Sequence, residues 1–168
     1  MNELIVGDAG PLIALARIDA IAVLAKVHSR VIVPRIVCAE CVADLAKPSA
    51  KRIDAAFGHR LLTLQPDSPS LSGLRIATLD EGESAAIELA KALNAMLLMD
   101  ERCVRAIATR RGLGVVGTLG ILITARKRNI VPALAPMLHG LTNNGYFIAD
   151  ALIAATLASV GEVKTPPA

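Results

Sequence analysis

Short apolar runs alternate with helical patterns along almost the whole chain, and that alternation restricts the fold more than any other feature. Leu4-Ile5-Val6, Val31-Ile32-Val33, Ala95–Met99 and Val115-Val116 read as short buried strands, with Arg60–Leu64 as a further one. Helical patterns lie between and after them, at Pro11–Arg17, Ala20–His28, Arg35–Leu45, Ala50–Phe57, from Gly82 or Glu83 onward, Glu101–Arg111, Thr118–Arg128, Pro132–Leu141 and Ile148–Val160. Strands separated by helices need crossover connections and pair in parallel. The expectation is an α/β protein, a three-layer α/β/α sandwich around a mostly parallel sheet of four or five strands. It forms one domain over residues 1–161, whose segment 132–161 covers the sheet or makes a dimer contact. A flexible tail follows at 162–168. Pro66–Gly73, rich in Pro and Ser, reads as a loop open to insertion.

Hydrophobic residues make up 54% of the 168, enough for a core and too many for a disordered chain. Three cysteines exclude a disulfide-stapled scaffold. Pro11–Val27 is the best candidate for a membrane span, and Arg17, Asp19 and Lys26 break it. The start, MNELIVGDAG, lacks a signal-peptide apolar region, so a cytoplasmic protein without membrane partners is expected. Aromatic residues are only Phe57, Tyr146 and Phe147.

Charge is unevenly placed. Residues 1–101 carry 13 acids and 10 bases, whereas residues 102–149 carry seven bases and no acid. An acidic region beside a basic one fits a metal site next to a polyanion track, and equally fits basic helix faces that are merely solvated.

In a parallel α/β sheet, ligands sit outside the carboxyl ends of the strands. Asp8 follows the first strand there, Asp100 and Glu101 follow AMLLM, and Thr118 follows GVVG. Glu83 opens the helix before the Ala95 strand, and Glu40 lies among Val37, Cys38, Ala39, Cys41, Val42 and Ala43, which argues against a free surface position. Each has a structural alternative: Asp8 as a turn or cap residue, Glu83 as a first-turn acid, Asp100 and Thr118 as helix caps. As a set, carboxylates at one sheet edge repel one another and call for a hard cation such as Mg²⁺ or Mn²⁺. A divalent metal beside a basic surface points to phosphodiester hydrolysis.

The order Asp8, Glu40, Glu83, Asp100, Thr118 resembles the PIN-domain nuclease pattern. The stretches VGDAGPLIALARI, LDEGESAAIELA, LLMDE and GTLGILITARKR resemble small prokaryotic PIN-like proteins, many of them toxins of the VapC kind. The resemblance implies Mg²⁺- or Mn²⁺-dependent RNA cleavage, a homodimer, and, in toxin members, an antitoxin peptide that blocks the acidic pocket. Carried over, Asp8, Glu40, Glu83 and Asp100 are the metal-binding acids, Thr118 an accessory polar group and Glu101 a second-shell or substitute ligand. Arg102, Arg105, Arg110 and Arg111 are candidates for holding the RNA backbone. Two departures stand out: Glu83 takes a place where many such nucleases have Asp, and after Asp100 the chain reads Glu101-Arg102-Cys103-Val104 instead of a further Asp and an aromatic. They keep open an alternative, a PIN-like protein that binds RNA or a protein partner without cutting.

Other motifs carry less. Asp150, in ADALIAATLA, has no strand and acid after it to complete a site, and reads as the cap of the last helix. GLGVVG (112–117) has the spacing of a dinucleotide fingerprint with its strand inside the match, not before it. Cys38 and Cys41 form a lone C-x-x-C in mid-helix, read as small apolar side chains. A phosphoacceptor receiver would need a paired acid after the first strand and a late lysine, and GDAG offers neither.

Overall fold

The computed structural model describes residues 4–65 and 78–163. Five strands, β1 (Leu4–Gly7), β2 (Arg30–Pro34), β3 (Thr63–Gln65), β4 (Met96–Leu98) and β5 (Val115–Val116), form one sheet in the order β3-β2-β1-β4-β5, every pair parallel. Among the described residues the helices are α1 (Ala9–Arg17), α2 (Ile21–Val27), α3 (Arg35–Cys41), α4 (Pro48–Gly58), α5 (Glu81–Ala92), α6 (Arg102–Arg110), α7 (Thr118–Lys127), α8 (Ala135–Asn143) and α9 (Asp150–Ser159). None of them is long and apolar enough to cross a membrane.

Both sheet faces are covered, so the strands are apolar on both sides. Ile5, Val31, Val33 and Leu98 face a larger core with Leu12, Leu15, Leu24, Ile53, Ile121 and Leu138 of the flanking helices. Val6, Ile32, Leu97 and Met99 point the other way, into a smaller core with Ile87, Leu89, Val104 and Ala108. The result is the three-layer α/β/α sandwich.

Several element ends differ from expectation for identifiable reasons. Helix α3 stops at Cys41 and does not reach Leu45. Asp44 accepts from the Ala46 amide at 3.0 Å, a local turn, and Pro48 at the start of α4 holds Lys47 extended. Helix α8 starts at Ala135, later than Pro132, because Glu162 accepts from the Leu134 and Ala135 amides at 2.9–3.0 Å. Glu162 also takes Arg126 Nε at 2.8 Å, so the tail does not begin at 162. Pro66–Gly73 and residues 164–168 lie outside the described residues.

The strand order sets the position of the site. From β1 the chain moves outward through β2 to β3, then returns to the other side of β1 for β4 and β5. The direction reverses between β1 and β4, and that reversal opens a crevice at their carboxyl ends. Asp8 follows β1 directly, and its amide donates to Leu98 O of β4 at 3.2 Å.

Candidate functional site

Asp8 is the N-cap residue of α1 and only 8% exposed. Burial pushes its carboxyl up to about 7. The Ala9 and Gly10 amides oppose that shift, while the charges of Glu83 and Asp80 add to it. Glu83 is likewise raised, first by burial and then, against the Asp80 amide, by the charges of Asp80, Glu101 and Glu40. Five carboxylates therefore share one electrostatic neighbourhood.

Asp80 belongs to that group and went unnoticed in the sequence reading. It is the N-cap of α5, accepts from the Glu83 amide at 2.7 Å, and donates its own amide to Glu83 Oε2 at 3.0 Å. The D-x-x-E spacing of a capping box was the available signal. Glu83 thus starts the helix and faces the acid cluster at once. Glu40 is exposed, against the expectation from its apolar neighbours. Helix α3 buries Val37 and Cys41, one turn apart, and Glu40 lies about 100° round from that stripe. It still reaches the cluster: a Cβ on Gly82 would stand 3.3 Å from Glu40 Oε2 and 3.4 Å from Asp80 Oδ1, so the two acids lean over a residue that has no side chain.

Asp100 is held separately. Its Oδ1 accepts from the Thr118 amide at 2.7 Å and its Oδ2 from Thr118 Oγ1 at 2.6 Å. Neither residue caps a helix by its side chain; Glu101 and Gly117 occupy the N-cap positions of α6 and α7. Gly117 lets the backbone approach this closely, since a Cβ there would lie 2.8 Å from Asp100 Oδ1 and 2.6 Å from Arg105 Nη1. Tyr146, between α8 and α9, hydrogen-bonds Asp100 and Thr118. Burial, then the Asp100 charge, raises its hydroxyl and keeps it a proton donor. No local pattern announces Tyr146; it arrives through the docking of the last two helices.

The basic residues divide. Arg105 Nη1 lies 3.5 Å from Met99 O, beside Asp100, while Arg102 and Arg110 are exposed on α6. Arg111 is committed elsewhere, with Nη1 2.6 Å from Oε1 of the buried Glu88. Glu101 is exposed and makes no capping bond. Asp150 is the first residue of α9, where its charge suits the helix dipole, and the expected side-chain cap is not formed.

No three His, Cys, Asp or Glu side chains among the described residues converge closely enough to hold a metal ion as they stand. The donor chemistry nonetheless fits a hard divalent cation. The clustered groups are carboxylates whose mutual repulsion such an ion relieves. The nearby Cys41 thiol is pushed up to about 12 by burial and by the charges of Glu40 and Asp8, so it supplies no thiolate.

A family model described as a PIN domain matches residues 4–162. The chain belongs to the PIN-domain family. PIN domains are generally nucleases that use divalent metal ions. Among solved structures the chain is similar to a PilT N-terminus domain protein from the archaeon Sulfolobus solfataricus P2. That match has 17% identity and a TM-score of 0.55, covering 73% of this chain and 92% of the other. A domain of a functionally unknown protein from Methanocaldococcus jannaschii DSM 2661 superposes with a TM-score of 0.44 at 14% identity, over 68% of this chain and 89% of that one. No curated protein matches the chain significantly. At such identities the structural likeness is one of fold.

Within this PIN domain, the bond from Thr118 to Asp100 has a measurable weight. Thr118 is fully buried, and Thr118→Val keeps its shape while removing the hydroxyl. A hydrogen bond to a charged group contributes about 1.5–3 kcal/mol. Urea unfolding of Thr118→Val is expected to show a loss in that range with an unchanged slope.

Proposed function

We propose that the protein is a divalent-metal-dependent endoribonuclease that hydrolyses RNA phosphodiester bonds. The supporting observation is Asp8: a buried carboxylate at the β1–β4 reversal, in the repulsive field of Glu83 and Asp80. Asp8, Glu40, Glu83 and Asp100 are the residues that would hold the ion. Bound Mg²⁺ or Mn²⁺ would offset their repulsion, draw in the scissile phosphate and acidify water.

The chain's own groups supply the rest. The Ala9 and Gly10 amides orient Asp8. Thr118 fixes both oxygens of Asp100, and Tyr146 donates to the same carboxylate. Arg102, Arg105 and Arg110, in the acid-free segment, are placed to hold the RNA backbone by charge. Glu101 adds negative charge beside Glu83. The resemblance to VapC-kind toxins extends the reading to a cytoplasmic homodimer whose acidic pocket an antitoxin segment blocks.

The test is incubation of a pool of structured RNAs with Mn²⁺ or Mg²⁺. Wild-type protein is expected to cut, EDTA to stop it, and Glu40→Gln to lower the rate roughly 10–100-fold, as loss of an outer metal partner does. A well-folded wild type that cuts no RNA and binds no Mn²⁺ by calorimetry would sink the proposal. The chain would then be a binding protein, a reading the missing second Asp after Asp100 favours.

A further inference from the structure

Phe147 is 88% exposed in a chain whose aromatics are 2% of its residues. Its neighbours explain how it is held. Gly145, at φ +84°, turns the chain out of α8, and the Tyr146 amide returns to Leu141 O at 3.0 Å. Tyr146 then points inward to Asp100 and Thr118, and Ile148 is buried in the larger core. With residues 146 and 148 both anchored, the residue between them faces outward, as in any extended segment. Phe147 is thus a fixed apolar ring, one residue from a side chain that touches Asp100. The charge around it is cationic: it lies in the segment 102–149, which has seven bases and no acid, and Arg105 stands beside Asp100.

A flat ring next to a phosphate-cutting site, flanked by cations, suits one occupant well. Unpaired nucleobases stack on exposed aromatic rings, whereas bases inside a duplex present no free face. We infer that Phe147 is a stacking platform for an unpaired base beside the scissile phosphate, which makes single-stranded RNA the substrate class. The inference rests on the ribonuclease reading and adds to it a residue that selects strand state.

The chain contains no tryptophan, so Phe147→Trp introduces a single reporter. Binding is followed in Mg²⁺ with Asp8→Asn in the background, to prevent cutting, using oligo-adenylate RNA and a fully paired hairpin. Oligo-adenylate is expected to quench the tryptophan strongly and the hairpin weakly. Phe147→Ala is expected to weaken oligo-adenylate binding by roughly 10-fold, the scale of one lost base stack. In the otherwise wild-type protein the same change is expected to raise KM for a single-stranded substrate and leave kcat. If RNA is bound and cut but Phe147→Ala matches wild type in affinity and KM, the platform is wrong and the nuclease reading stands. If wild-type protein neither binds nor cuts RNA, both fall together. A spectral shift that follows protein concentration and ignores RNA would make Phe147 a contact between copies of the chain and overturn the inference.

Discussion

Asp8→Asn is expected to abolish RNA cleavage and, in EDTA at pH 8, to make the protein more stable. The two effects have one cause. The folded protein holds the Asp8 carboxyl at about 7, against 3.8 for the free group, chiefly through burial, with further contributions from Glu83 and Asp80. A raised carboxyl favours the neutral form in the fold. Its contribution to stability is fully present below pH 3.8, is lost as pH rises toward 7, and is constant above that. A shift of about three units corresponds to about 4 kcal/mol at most. Asparagine cannot ionise, keeps an acceptor for the Ala9 and Gly10 amides and is a good N-cap residue. Unfolding in EDTA is expected to favour Asp8→Asn by about 2–4 kcal/mol at pH 8 and to show little difference at pH 4. Mn²⁺ is expected to reverse the order by stabilising wild type alone. The variant forfeits several kcal/mol of transition-state stabilisation, about 10³-fold in rate. A variant less stable than wild type at pH 8 in EDTA would show that Asp8 is a structural cap and that the acids do not strain the apo fold.

That opposition between apo stability and function separates a functional acid cluster from an ornamental one. Asp80 and Glu83 satisfy one another through a capping box, and Asp100 is satisfied by Thr118. Asp8 has backbone donors but faces the cluster's charge from a buried position, so it holds most of the electrostatic cost. Functional sites commonly keep such local conflict because a ligand resolves it.

What the sequence disclosed followed from range. Asp8 and Asp100 were legible because each directly ends an apolar strand run, and a parallel sheet gathers strand ends at one edge. Thr118 was legible as a position, although its hydroxyl serves Asp100 instead of its own helix. Tyr146 was invisible: its approach depends on how α8 and α9 dock, and nothing within a few residues records that. Glu40 shows how apolar neighbours mislead. Helical period decides burial, and the carboxylate buried in an apolar run is Glu88, within Ala86-Ile87-Glu88-Leu89-Ala90. Glu88 went unnoticed because its partner, Arg111, lies 23 residues away on another element.

Arg111→Met is expected to lower stability by about 2–4 kcal/mol, the largest loss from any single basic residue considered. Glu88 is 5% exposed, and its Oε1 lies 2.6 Å from Arg111 Nη1. Removing one partner of a buried pair leaves an uncompensated charge in a poor solvent, which costs about 3–5 kcal/mol when both are fully enclosed. The Arg111 side chain keeps 31% of its surface, so water and counterions offset part of that cost. Replacing both residues removes the stranded charge, and Glu88→Met with Arg111→Met is expected to recover most of the loss, since apolar side chains of similar volume can substitute for a buried pair. Urea unfolding of the two single variants and the double variant forms a cycle whose coupling reports the pair directly. The same cycle decides what Arg111 is for. A residue serving only the RNA backbone would leave unfolding unchanged and weaken RNA binding, whereas a structural partner of Glu88 shows strong coupling in unfolding and wild-type RNA affinity in the double variant. The 2.6 Å contact favours the second outcome, leaving Arg102, Arg105 and Arg110 as the cations of α6 that face the substrate.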